Sequence, residues 1–272
     1  MDNRPIGIFD SGVGGLTAVR RLLQAAPRES IVYLGDNLRA PYGDRTAEDI
    51  RFLSRRNARF LRAMDVKAVI VACNTSTANA MDLLAADNAD IPIVGTVGPT
   101  AAEAVRVTAG GRIGVLATTA TVRSGLYERT IRALLPEAEV LSRSCPKLVP
   151  LIETGHIRPG DPALTEALGE DLAPLRAAGV DTVVLGCTHY PLISAAILDA
   201  MGREVALVDS GAACVDAILG ALAARDGLAA PDAVRRERYC CSGRRRDFVD
   251  VARGFLGFPI DDRTEEIDVT PY

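Results

Sequence analysis

Short apolar runs alternate with amphipathic stretches along most of the chain. The runs are Ile6–Phe9, Ile31–Leu34, Ala68–Ala72, Pro92–Gly95, Ile113–Leu116, Glu139–Leu141, Thr182–Gly186 and Val205–Val208. Between them, apolar residues recur at helical intervals in Leu16–Ala26, Ala47–Met64, Ser76–Ala86, Thr121–Leu135 and Leu164–Ala178. Val- and Ile-rich runs that each precede a helix predict an α/β fold, its parallel strands covered by helices on both faces. After Asp209-Ser210-Gly211 the alternation fades into Ala213–Arg225 and then an arginine-rich tail. That tail is expected to pack back on the first half.

The pattern also repeats. VIVACNTSTANAM (Val69–Met81) and TVVLGCTHYPLI (Thr182–Ile193) both run from a strand into a cysteine closely followed by threonine. Setting Cys73 on Cys187, an offset of 114 positions, also places Val66 on Val180, Val69 on Val183 and Thr96 on Ser210. IGIFDS (Ile6–Ser11) matches IGVLAT (Ile113–Thr118) at an offset of 107. Duplication predicts two pseudo-symmetric, flavodoxin-like α/β lobes. Residues 1–95 plus 210–272 would form the first, and 96–209 the second. The ligand site would be the cleft between them, outside the carboxyl ends of the strands.

At 272 residues and 48% hydrophobic, the chain can bury a substantial core. Its net charge of -4 gives no reason to expect nucleic acid or an anionic membrane as partner. No apolar run approaches the ~20 residues needed to span a bilayer. Met1–Pro5 is polar and no secretory-type apolar segment follows it, so no targeting segment is read and a cytoplasmic protein is expected. Six cysteines without C-x-x-C spacing and only two histidines indicate neither a disulfide framework nor a metal site. Cys145 and Cys214 read as packed residues, and Cys240-Cys241 as a strand with one cysteine on each face. Arg235-Arg236 and Arg244-Arg245-Arg246 read as solvated surface.

A cysteine that closes a parallel strand and opens a helix lies near free backbone N–H groups, which stabilise an anion. One such thiol suits a nucleophile. Two, facing each other across a cleft, suit a different task. A carbon held between them can lose a proton to one side and regain one from the other, which inverts a stereocentre. The L and D forms of an amino acid have equal energy, so a nearly symmetric site fits.

Acidity is the obstacle, because a thiol of pKa about 8.5 is only about 3% ionised at pH 7. Asp10, at the end of the first strand, and His189, two residues past Cys187, are the candidate assistants. A carboxylate beside a thiol raises its pKa, so Asp10 reads as a proton acceptor or a partner of the substrate ammonium. A protonated His189 would stabilise a thiolate. Capping or core roles compete for both residues. Pyridoxal phosphate is not expected: neither Lys67 nor Lys147 has a phosphate-binding loop beside it. DSGVGGLT (Asp10–Thr17) lacks the G-x-G-x-x-G spacing, and its glycines are expected to let backbone approach a small ligand.

DSGVGG (Asp10–Gly15), YLGDNLRAPYG (Tyr33–Gly43), ACNTSTA (Ala72–Ala78), VPLIETG (Val149–Gly155) and LGCTHYPL (Leu185–Leu192) resemble the signature segments of bacterial glutamate racemase. The resemblance runs in order from Ile6 to Ser210, and the arginine-rich tail carries little of it. It implies a cofactor-independent racemase that supplies D-glutamate for peptidoglycan synthesis. Cys73 and Cys187 would be the two acid/bases, assisted by Asp10, His189 and Glu153. Substrate contacts would come from Asp10, Ser11, Pro41, Tyr42, Gly43, Asn74, Thr75, Thr188 and His189, and from Thr118, Thr119 and Thr121 in the second lobe. The chain departs from the family's commoner pattern at Ala117–Thr119, at Ser144–Leu148 and in the order of residues in ACNTSTA. The resemblance further implies a homodimer. Some members also bind DNA gyrase, a non-catalytic role about which these residues are silent. A related racemase or decarboxylase acting on aspartate, hydantoins or malonates is the alternative enzyme; both cysteines together with His189 favour racemisation.

Overall fold

The computed structural model describes all residues, Met1–Tyr272. Ten strands form: β1 (Ile6–Asp10), β2 (Ile31–Gly35), β3 (Ala68–Val71), β4 (Ile93–Gly95), β5 (Arg112–Ala117), β6 (Glu139–Ser144), β7 (Thr182–Gly186), β8 (Ala206–Asp209), β9 (Glu237–Cys241) and β10 (Thr264–Glu266). They make two sheets, one ordered β10-β9-β2-β1-β3-β4 and the other β6-β5-β7-β8. Every strand pair is parallel.

The two sheets repeat one another in register as well as order. Ile6 lies opposite Ala68 and Ile113 opposite Thr182, which keeps the offsets of 107 and 114 found in the sequence. Val69 lies opposite Ile93 and Val183 opposite Leu207, again 114 apart on both strands. Generic α/β similarity does not require matching registers; duplication does.

Eleven helices connect and cover the sheets: α1 (Leu16–Ala25), α2 (Ala47–Ala63), α3 (Asn74–Asp87), α4 (Val97–Val107), α5 (Thr119–Ser124), α6 (Leu126–Leu134), α7 (Leu148–Glu153), α8 (Pro162–Ala177), α9 (Ser194–Met201), α10 (Ser210–Ala223) and α11 (Arg245–Leu256). Side-chain oxygens cap several of them: Thr46 accepts from Asp49 N, Asp161 from Leu164 N, and Asp209 from Gly211 N and Ala212 N. Strand residues alternate between faces as the pleat requires. Phe9, Val32, Val69 and Val71 face one cluster with Ala58, Leu61 and Leu84, while Ile6, Ile8, Ile31 and Ile70 face another. That second cluster of 41 buried residues also contains Leu116, Val183 and Leu185 of the other sheet. One apolar core therefore joins the two halves, which disfavours wide relative motion.

Three departures from the sequence expectations have local causes. The continuous helix expected over Thr121–Leu135 is broken at Gly125, whose φ of 63° places it in the left-handed region and ends α5. The strand expected at Glu139–Leu141 continues to Ser144 because it pairs with β5 along its whole length. The strand read at Cys240-Cys241 extends back to Glu237 as β9, and β10 has no counterpart in the sequence expectations; β9 pairs with β2, so the tail completes the first sheet. Cys240 and Cys241 do lie on opposite faces of β9, each in a different core cluster. Arg235, Arg236, Arg244, Arg245 and Arg246 are exposed. No helix is long and apolar enough to cross a membrane.

Candidate active site

Both cysteines directly follow a central strand, but only Cys73 opens an α-helix; Cys187 leads into a turn and a short 3-10 segment, Tyr190–Ile193. After β3, Cys73 takes an extended conformation, with φ -67° and ψ 115°, and becomes the N-cap of α3. Its sulfur accepts from Ser76 N at 3.4 Å and lies 3.7 Å from Ser11 Oγ. After β7, Cys187 opens a turn in which its sulfur sits 3.8 Å from His189 Nδ1. His189 Nε2 lies 2.8 Å from Glu153 Oε1 at the end of α7. The Phe255 ring meets the imidazole edge-on at 5.2 Å and fixes its plane. Cys73 and Cys187 line one cavity of about 500 Å³ at the carboxyl ends of β1, β3, β5 and β7.

Of the residues singled out in the sequence, Ser11, Pro41, Tyr42, Gly43, Cys73, Asn74, Thr75, Thr118, Thr119, Glu153, Cys187, Thr188 and His189 line this cavity. Asp10 and Thr121 do not. Asp10 lies behind the wall, 1% exposed, accepting from Gly12 N at 3.0 Å and from Thr188 Oγ1 at 3.4 Å. Thr121 Oγ1 sits 3.0 Å from Thr118 Oγ1, which is 2.8 Å from Thr75 Oγ1. This hydroxyl cluster stitches α3 to the start of α5. The Tyr42 hydroxyl points away from the cavity, donating to Asp36 Oδ2 at 2.5 Å, so backbone is what this residue offers a ligand. Gly43 O accepts from Ala120 N at 2.8 Å, closing the loop from the first sheet against the second.

The cavity is also lined by Asn37, Asp44, Cys145, Pro146, Val149, Pro150 and Thr154, which sequence reasoning did not assign to it. Asn37 and the Val149–Thr154 residues lie inside segments already quoted, so their neighbours carried the signal. Cys145, read as packed, is 1% exposed yet borders the cavity. Cys214 is fully buried in α10, as read.

The glycines of DSGVGG do a different job from the one expected. None of Gly12, Gly14 and Gly15 lines the cavity. A Cβ on Gly14 would collide with Thr188 Oγ1 and come within 2.5 Å of His189 Nδ1; one on Gly15 would lie 2.6 Å from Asp10 Cβ. Gly14 lets the turn before α1 press directly on the segment after Cys187, and Gly15 lets it press on the end of β1. Gly14→Ala is therefore expected to displace Thr188 and His189 and to cut turnover by about 10²-fold, the order of loss that a displacement near 1 Å causes. Steady-state kinetics together with circular dichroism of the folded variant check this; unchanged turnover would show that the contact is slack.

The two sulfurs have unlike electrostatic surroundings. Burial, with the Asp10 carboxylate adding to it, pushes the Cys73 thiol up to about 11; hydrogen bonds from Ser76 and Ser11 oppose this only partly. Burial pulls the His189 imidazole down, but hydrogen bonds to Cys187 and Glu153 and the negative charge of Cys187 and Asp10 outweigh it, raising it to about 10. At neutral pH His189 is a cation beside the Cys187 sulfur and Cys73 is a thiol. A cation there stabilises negative charge on sulfur. No lysine or arginine lines the cavity. Besides the His189 imidazolium, hydroxyls and backbone amides at the starts of α3 and α5 are what the cavity offers an anionic ligand group. No group of three or more His, Cys, Asp or Glu side chains is placed to hold a metal ion.

The family profile of Asp/Glu/Hydantoin racemases matches residues 6–218. The chain belongs to this family. As a racemase it is an isomerase of amino acids. It is 43% identical over 270 residues to a glutamate racemase of Streptococcus gordonii, covering 99% of this chain and 100% of that one. Among solved structures, the racemase superposes on glutamate racemase of Francisella tularensis in complex with D-glutamate with a TM-score of 0.93, at 31% identity and 100% coverage of both chains. Glutamate racemase of Bacillus anthracis gives a TM-score of 0.92 at 33% identity, covering 98% of each chain.

Proposed function

We propose that this racemase interconverts L- and D-glutamate by proton transfer between Cys73 and Cys187, and that its D-glutamate feeds peptidoglycan synthesis. The supporting observation is the placement of both sulfurs, just past the carboxyl ends of the equivalent strands β3 and β7 of a duplicated fold, on one cavity. The naming of full-length relatives as glutamate racemases, one of them solved with D-glutamate, supports the substrate. The lobes in this reading are residues 1–95 with 210–272, and 96–209.

One sulfur, as thiolate, takes the α-proton, leaving negative charge shared between the α-carbon and its carboxylate. The other, as thiol, delivers its proton to the opposite face. One C–H bond breaks and one forms, and thiol and thiolate exchange places. Amides at the starts of α3 and α5 hold the carboxylates and stabilise the charge that grows as the proton leaves. Asp10 favours the protonated form of Cys73, and the His189 imidazolium, supported by Glu153, lies beside the Cys187 sulfur. Ser11, Thr75, Thr118 and Thr188 supply hydroxyls within the cleft.

The test is circular dichroism of the purified protein with L-glutamate and no added cofactor. The signal is expected to decay to zero. In deuterium oxide, α-deuterium is expected in the product enantiomer before it enters the remaining substrate. A flat signal with L-glutamate but turnover of L-aspartate would reassign the substrate.

A further inference from the structure

The chain passes from the first sheet to the second after β4, at Thr96, and returns after β8, at Ser210. These residues are equivalent by the same offset that relates the two cysteines. Both hydroxyls bond to one side chain, that of Asn74, the residue after Cys73. Thr96 Oγ1 donates to Asn74 Oδ1 at 3.0 Å, and Asn74 Nδ2 donates to Ser210 Oγ at 3.0 Å. The Tyr127 hydroxyl, from α6 beside the second sheet, donates to the same Oδ1 at 2.6 Å. Thr96 N is held as well, by Thr77 Oγ1 of α3 at 3.2 Å. Asn74, Thr96, Tyr127 and Ser210 are all at most 2% exposed.

An amide buried among three hydroxyls is costly unless each partner is placed to satisfy it, and once satisfied it fixes a unique arrangement. The Cys187 side has no counterpart. Its equivalent of Asn74 is Thr188, whose hydroxyl turns to Asp10 instead. The start of α3, and with it Cys73, is thus tied to both inter-sheet crossings, while Cys187 is tied to neither.

We propose that Tyr127, Thr96 and Ser210 are positioning residues that act through Asn74 to set Cys73 against the α-carbon. This rests on the two-cysteine reading above. Removing the Tyr127 hydroxyl takes away one of the two donors to Asn74 Oδ1, which loosens the amide and lets the first turn of α3 shift. Proton transfer at Cys73 then slows while transfer at Cys187 does not.

The test is Tyr127→Phe, assayed with L- and D-glutamate carrying protium or deuterium at the α-carbon. A fall in kcat of about 10- to 100-fold is expected from a sub-ångström to 1 Å misplacement, with KM little changed. The substrate deuterium effect is expected to rise in one direction only, the one in which Cys73 removes the proton. A second pair isolates the hydroxyl: Thr96→Val should reproduce the loss, and Thr96→Ser should restore activity. Unchanged kcat in Tyr127→Phe, an isotope effect rising equally in both directions, or equal losses in the two Thr96 variants would overturn the proposal. Cys73→Ala in the same assay separates the two levels. Residual full activity there defeats the two-cysteine reading itself, whatever Tyr127→Phe does.

Discussion

Replacing either Cys73 or Cys187 by alanine is expected to lower racemisation of glutamate by at least about 10³-fold, in both directions at once. Positioned general acids and bases each contribute roughly 10²- to 10⁴-fold, and here one residue of each kind is needed in every turnover. The directions fail together because forward and reverse reactions cross the same two transition states, one at each sulfur. Removing Cys73 leaves no acid on one face of the α-carbon; removing Cys187 leaves no base on the other. The electrostatics add a pH dependence. His189 is charged below about 10 and Cys73 protonated below about 11, so kcat/KM is expected to fall as pH rises through that window. In that window the cation beside Cys187 and then the proton on Cys73 are lost. Chiral chromatography of each alanine variant and a pH–rate series on the native protein check both parts. Full activity in either variant would end the two-base scheme, and a flat rate to pH 11 would separate His189 from the chemistry.

How far the sequence revealed this site follows from which interactions are local. Buried parallel strands are nearly continuous apolar runs, so most strands of the duplicated part were visible, whereas the half-exposed β6 was visible only over Glu139–Leu141. The equal offsets of the two cysteine junctions revealed the symmetry that the sheet registers repeat. Strand β9, Glu237–Cys241, begins with charged residues and lies one strand in from the edge, so only its Cys240-Cys241 end read as a strand. Residues that face the cleft through their backbone, such as Tyr42, were recognisable as a turn, but the hydroxyl's true partner, Asp36, depended on how the loop folds back. The contact of Gly14 with His189 joins positions far apart in the chain, and the DSGVGG spacing holds no trace of it. The same is true of Asn74. Its place beside Cys73 was plain, whereas its bonds to Thr96, Tyr127 and Ser210 exist only once both sheets have formed.

At the opposite end of the first sheet, Lys67→Ala is expected to destabilise the fold by about 3–5 kcal/mol, the usual cost of leaving one member of a buried ion pair alone. Lys67 Nζ lies 2.7 Å from Glu29 Oε2, with side chains 1% and 3% exposed. The ammonium also donates to Asp2 O at 2.6 Å, and Glu29 Oε1 accepts from Ala229 N at 2.8 Å. The pair therefore ties the N-terminal segment, the approach to β2 and the start of the tail into one corner. Without the lysine, Glu29 must remain buried and uncompensated or drag the corner open. Against a total stability of about 5–15 kcal/mol this is a large fraction, and a fall of roughly 10 °C in Tm is expected. The double variant Lys67→Met with Glu29→Gln removes both charges while keeping an acceptor for Ala229 N, and is expected to recover most of the loss. Urea unfolding of the native protein and both variants measures it. Lys67 precedes β3, whereas the cavity opens at the far end of that strand, so turnover at low temperature should be unchanged in both. A loss below about 1 kcal/mol in Lys67→Ala would mean that water reaches Glu29 and that this corner does not depend on the pair.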